Sequence, residues 1–153
     1  MSIRFRSVNG DCVVGVDIVD SKNFGEYILA HKNLSYQKTD ILISQNVSKL
    51  FENIIKECGK IDVLFNFVGG FGKTADIEEV SDDEWDEVVN LNLKSIFLMA
   101  KNAVPLMKKN NYGRIISMAA VAGRQPQGKS CVSDEASSIT GMTLDITGGL
   151  FMN

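Results

Sequence analysis

Ile61-Asp62-Val63-Leu64-Phe65-Asn66-Phe67-Val68-Gly69-Gly70 is the stretch on which the fold turns. It is almost wholly apolar, rich in β-branched and aromatic residues, and too short for a helix. Gly59 punctuates it upstream and Gly69-Gly70 closes it. A run apolar on both faces, bounded by glycines, reads as a buried strand. Working outward, residues 46–58 place Val47, Leu50, Phe51, Ile54 and Ile55 at helical spacing, and Gly59 stops that helix. Downstream, Ser81 with Glu84 forms a capping box that opens a long helical pattern. It runs to about Lys109, with Pro105 expected to kink it or mark a boundary. Arg114 to Val121 then reads as another strand.

Further out the alternation continues. Cys12 to Ile18 reads as a short Val-rich strand with Asp17 at its C-terminal end. Residues 21–31 read as a helix capped by Ser21, with Phe24, Tyr27 and Ile28 on one face, and Leu34 to Asp40 as a second short strand. Residues 123–130 have no period and read as loop. Gly141 to Ile146 reads as a last strand before Gly148-Gly149. Strands alternating with helices mean βαβ units, so the fold class is α/β, with a mostly parallel sheet covered on both faces. No repeat, low-complexity tract or linker divides residues 1–153, which are expected to form one domain.

Composition sets the outer limits. The 153 residues carry 16 Lys and Arg against 19 Asp and Glu, a net charge of −3, and are 44% hydrophobic, enough for one core. The mild acidity is spread out, so no nucleic-acid-binding face is expected. No apolar run reaches the length of a bilayer span, and the start is too short and polar for a signal peptide. Cys12, Cys58 and Cys131 show no metal-ligand spacing, and their odd number suits a reducing cytosol better than a disulfide framework. The expected location is cytoplasmic, with no metal.

Several segments carry a resemblance. Val13 to Ile18 ends on an acidic residue; Asp40-Ile41 follows the next strand; Asn66-Phe67-Val68-Gly69 ends the third. Trp85 through Asn92-Leu93 and Phe97 form a helical signature, and Gly113-Arg114-Ile115-Ile116 leads into Val121-Ala122-Gly123. Ser133-Asp134-Glu135-Ala136-Ser137 runs through Gly141 to Gly148-Gly149. In this order they resemble the short-chain dehydrogenase/reductases, a family of NAD(P)-linked oxidoreductases with a Rossmann-like, three-layer αβα fold. The small-residue and Cys-Val context is similar to the cytosolic 3-hydroxybutyrate dehydrogenase branch.

The resemblance implies NAD as cofactor, held by Asp17, Ile18, Asp40, Ile41, Asn66, Val68 and Gly69. Asp17 would hydrogen-bond the adenosine ribose and repel a 2′-phosphate; the alternative is a solvated strand end. Asn66 and Gly69 suit either the cofactor or the strand exit alone. Asn92 is the catalytic candidate, with bending of its helix as the alternative. By the same resemblance the fold is incomplete. The family's first strand and glycine-rich turn, which brings backbone N–H groups to the pyrophosphate, precede what aligns here. Gly69-Gly70-Phe71-Gly72 leads into loop and does not replace that turn. The family's catalytic Ser aligns with Ala120, and Ser117 lies an odd number of residues away, on the opposite strand face. The family's Tyr position lands on Ser133, where the sequence passes directly to the C-terminal segment, so the Tyr, the Lys and the active-site helix region are missing.

The family's sheet order, 3-2-1-4-5-6-7, implies a further consequence. Without its central first strand, strands 2 and 4 would face each other across about 10 Å. The sheet must then re-pair, borrow a strand or stay partly unformed. Asp76 to Glu87 is rich in carboxylates, read as charges near a helix start rather than metal ligands. His31 reads as a surface residue, Lys129 as loop, and Trp85 with the Met and Phe residues of 97–107 as helix core or interface. Three functions follow: NAD-linked interconversion of a secondary alcohol and a ketone, with this chain catalytically incompetent; a non-catalytic homo- or hetero-oligomeric partner, joining through residues 82–110 and the C-terminal strand; or a splice-type by-product.

Overall fold

The computed structural model describes residues 12–20, 34–73 and 75–119. Their element order is β1 (Val13–Asp17), β2 (Leu34–Lys38), α1 (Ser44–Cys58) and β3 (Val63–Asn66). A 3-10 turn (Ile77–Glu79), α2 (Asp82–Val89), a π-helical turn (Asn90–Lys94), α3 (Ser95–Lys109) and β4 (Arg114–Ser117) follow. The expected helix at 21–31, the loop at 123–130 and the strand at 141–146 lie outside the described residues, as do His31, Ala120, Lys129, Cys131 and Ser133.

The α/β class and its incompleteness are both visible in the pairing. β1 runs parallel to β2, with Val13 opposite Leu34 and Asp17 opposite Lys38. β3 runs parallel to β4, from Val63 opposite Arg114 to Asn66 opposite Ser117. These are two separate two-stranded sheets, and among the described residues no ladder joins β1 to β3. The re-pairing that would close the implied gap is therefore not seen there.

One apolar cluster packs against both pairs. Val14 and Val16 of β1, Leu64 of β3 and Ile61 just before it are almost fully buried. α1 covers them because Val47, Leu50, Phe51 and Ile54 recur on one face. α3 adds Leu98, Met99, Ala103 and Met107. Each of the buried Val, Leu, Ile, Phe and Met side chains contributes on the order of 1.5–3 kcal/mol when taken out of water. Gly59 ends α1 at φ 77°, a left-handed conformation that glycine adopts without steric cost, and its N–H donates to Ile55 O at 2.9 Å.

Two expectations need correction. Cys12 and Cys58 are joined as a disulfide, with Cα atoms 5.8 Å apart, rather than left as scattered thiols. Counting cysteines cannot reveal that the start of β1 and the end of α1 approach each other across 46 residues. The long helical pattern from Ser81 is also not broken at Pro105, which sits inside α3. The break falls at Asn90–Lys94, where the helix widens to a π turn.

Candidate functional site

The C-terminal ends of parallel strands are where an open α/β sheet presents its ligand groups, and the expected residues fall there in two groups. The first sits on β1 and β2. Asp17 ends β1, and Thr39 N–H donates to its carbonyl at 2.8 Å, bringing the segment before Asp40 alongside. The Asp17 carboxylate accepts from Val19 N–H at 3.2 Å, which folds the chain into a tight turn. Asp40 does the same one turn before α1, accepting from Leu42 N–H at 2.9 Å. Ile18 is exposed, whereas Ile41 is buried in the core and serves packing.

Tyr36, which the sequence does not single out, completes this group. Its hydroxyl donates to the carbonyls of Asp17, at 3.3 Å, and Val19. Burial and the nearby charges of Asp17 and Asp20 push its phenol pKa up, so it stays a donor. Only the register, with Tyr36 opposite Gly15, reveals the contact.

The second group surrounds the end of β3. Asn66 is buried and donates through Nδ2 to Ser117 Oγ at 3.1 Å, while its Oδ1 is buried without a partner. Val68 packs against the core and Gly69 is half-buried. Asn92 lies in the π turn. Its Nδ2 donates to Gly70 O and to Val88 O, each at 2.9 Å, and its Oδ1 accepts Gly70 N–H at 3.1 Å. Both amide protons are thereby used, and the side chain fastens the Gly70 loop to the helix. A Cβ on Gly70 would lie 2.9 Å from Leu91 Cδ2, so the loop passes close to the π turn. The segment after Gly70 continues as coil to the 3-10 turn, not into a helix.

Ser81 caps α2 as expected, with Glu84 completing the reciprocal box. The Lys73 ammonium, 2.8 Å from Glu84, together with hydrogen bonds from Ser81, holds the Glu84 pKa down to about 2. Among the described residues, no helix is long and apolar enough to cross a membrane. A shallow cavity of about 370 Å³ lined by Lys60, Asp62, Asn110 and Tyr112 lies before the starts of β3 and β4, at the opposite edge from both groups.

The arrangement fits the adenosine half of a dinucleotide: a carboxylate at a strand end with two tight turns beside it. Asp17, Ile18 and the Asp40 turn are the residues that could hold that half. Among the described residues, no glycine-rich turn opens a helix to cradle a pyrophosphate.

Comparison with known proteins bears on the family and the fold. The family model described as short chain dehydrogenase matches residues 9–132. An oxidoreductase of Staphylococcus saprophyticus is 30% identical over 123 residues, covering 80% of this chain and 50% of that protein. A short-chain dehydrogenase/reductase of Burkholderia xenovorans superimposes with a TM-score of 0.69 at 25% identity, over 75% of this chain and 46% of its own. The NADH-dependent reductase A1-R′, solved in complex with NAD, gives 0.67 at 25% identity, over 78% of this chain and 53% of its own. The chain thus spans about half the length of these proteins.

Proposed function

Because this chain belongs to the short-chain dehydrogenase/reductase family, we propose that its chemistry by descent is NAD-linked hydride transfer between a secondary alcohol and a ketone. We further propose that these 153 residues bind nucleotide without completing that reaction. The observation that carries the nucleotide reading is Asp17, a carboxylate at the end of a parallel strand with the Asp40 turn alongside. A carboxylate there accepts hydrogen bonds from ribose hydroxyls and repels a 2′-phosphate, which favours NAD over NADP.

The bound nicotinamide would supply the hydride. The protein's own task is to orient the carbonyl and hand over a proton. A phenol of intrinsic pKa near 10 does this at neutral pH only beside a cation that favours its ionised form. The positions that correspond to the family's Ser and Tyr are Ala120 and Ser133 here, and no Lys follows at the family's spacing. Asn92 spends both amide protons on backbone carbonyls and acts as a positioning residue for the Gly70 loop.

The test is a thermal melt of the purified chain with and without excess NADH, followed by a turnover assay with 3-hydroxybutyrate. A ligand that binds only the folded state raises the melting temperature by mass action. The expected result is an upward shift with no turnover. A melt indifferent to NADH would sink nucleotide binding, and measurable turnover would sink catalytic incompetence.

A second reading, association with another copy or a full-length relative, is favoured by one observation. Trp85 of α2, Leu93 of the π turn and Phe97 of α3 recur at multiples of four and are each more than half exposed. An apolar stripe of this kind on one helical face fits a helix-to-helix contact. Light scattering of wild type and Phe97→Glu decides it: a dimer lost in the variant supports association, and a monomer in both rejects it for this chain alone.

A further inference from the structure

We propose that Tyr36 is the positioning residue of the nucleotide site, acting as a strap that holds the Asp17–Val19 turn in the shape that presents the Asp17 carboxylate. This rests on the nucleotide reading above and adds a residue to it.

Four contacts converge on one short turn. The Tyr36 hydroxyl donates to the carbonyls of Asp17 and Val19, the two ends of the turn. Val19 N–H donates to Asp17 Oδ1 at 3.2 Å, which orients the carboxylate, and Thr39 N–H donates to Asp17 O at 2.8 Å. The last bond ties the end of β1 to the chain just beyond β2. Tyr36 thus spans the turn from the neighbouring strand and restrains the segment whose carboxylate must meet the ribose.

The ring has room because of Gly15. The two residues are opposite each other in the parallel register, and a Cβ built on Gly15 would meet Tyr36 Cδ2 at 3.4 Å and Ser35 O at 3.7 Å. A methyl at that distance is in ordinary contact, but the γ-carbons of a branched side chain would need the space the ring fills. Gly15 and Tyr36 form a pair, one leaving the space and the other reaching through it to the turn. Burial and the two nearby carboxylates keep the phenol protonated, so the strap holds throughout the neutral range.

The experiment titrates the full chain with NADH by fluorescence for wild type, Tyr36→Phe, Asp17→Asn and the double variant. Hydrogen exchange over residues 17–20 is measured without nucleotide. Tyr36→Phe keeps the ring and removes only the hydroxyl. Its affinity should fall about fivefold, the worth of roughly one hydrogen bond, and exchange at Val19 should rise. In the Asp17→Asn background the same change should cost nothing further, because a residue acting through Asp17 loses its lever when that carboxylate is neutralised. Gly15→Val, which displaces the ring, should reproduce the loss.

Unchanged affinity in Tyr36→Phe, unchanged exchange at Val19, or an undiminished loss in the Asp17→Asn background overturns the strap. If the wild-type chain binds no NADH, the nucleotide reading falls and takes this role of Tyr36 with it. That result is distinct from wild-type binding that is indifferent to Tyr36.

Discussion

Helices α1 and α2 are held by opposite means. α1 has fifteen residues, begins after Ile43 with no side-chain cap and carries no acid in its first turn, yet buries Val47, Leu50, Phe51 and Ile54. α2 has eight residues and buries none, but it starts with a complete capping box and three acidic residues in its first turn. α1 is stabilised by what it packs against, α2 by what it bonds to at its own end. Isolated helices of either length are marginal in water, so each needs its support. The candidate site inherits the division: the Asp17 group rests on a sheet that α1 buries, and the Gly70 loop is hung on a helix by hydrogen bonds.

The sharpest way to break this comparison is to hollow the packed half. Leu50→Ala should cost about 2–5 kcal/mol, a large part of a domain's typical stability of about 5–15 kcal/mol. The expected result is a melt that loses cooperativity. A melt shifted by only a few degrees would mean that α1 does not rely on burial. Reducing the Cys12–Cys58 bond comes next. It removes a constraint on the unfolded chain worth about 2–4 kcal/mol, so reductant should lower the melting temperature of wild type but not of Cys12→Ser.

The polar half should respond less and more locally. Asn92→Leu removes two hydrogen bonds between the π turn and the Gly70 loop and a third to Val88 O within the helix, at a cost of about 1–3 kcal/mol for the groups left unpaired. Tryptic cleavage after Lys73 should quicken while amide exchange in β1 is unchanged; faster exchange in β1 would show that the two halves are coupled. Ser81→Ala should cost about 1 kcal/mol, read as fraying of α2 with α1 intact.

The smallest effect is electrostatic. The Glu84 pKa is held down to about 2 by Lys73 and Ser81. Its contribution is therefore present above the unfolded carboxylate range of about 4.3 and is lost as pH falls from there toward 2. The Lys73 partner is exposed and solvent screens the pair, so Glu84→Gln should flatten the acid limb of the stability curve only slightly. A steep limb that survives in the variant would place acid sensitivity elsewhere.

What could be read in advance follows from how local each cause is. The capping box needs only Ser81 and Glu84, three positions apart in the same segment, and the α1 periodicity needs only its own apolar spacing. Both appear where the residues put them. Bending of the helix at Asn92 is an alternative that the family resemblance offers, but its form, a π turn tied to Gly70 twenty-two residues upstream, is not legible in the sequence. Pro105 does not mark the boundary that its local signal offers, because it lies inside the continuous helix α3. Asp17 and Asp40 were legible as strand-end acids. The burial of Ile41 in the core is not legible from its place in the sequence.

By itself the sequence determined the alternation of strands and helices, the family, and the types of residue available at each strand end. These depend on short-range periodicity and on ordered motifs that survive in one dimension. Only the tertiary structure decided that β1 and β3 lie in separate parallel pairs, that Cys12 meets Cys58, and that Tyr36 reaches across Gly15 to the Asp17 turn. Each is a contact between segments distant in the chain, set by which surfaces pack together, and no spacing along a single strand or helix encodes it.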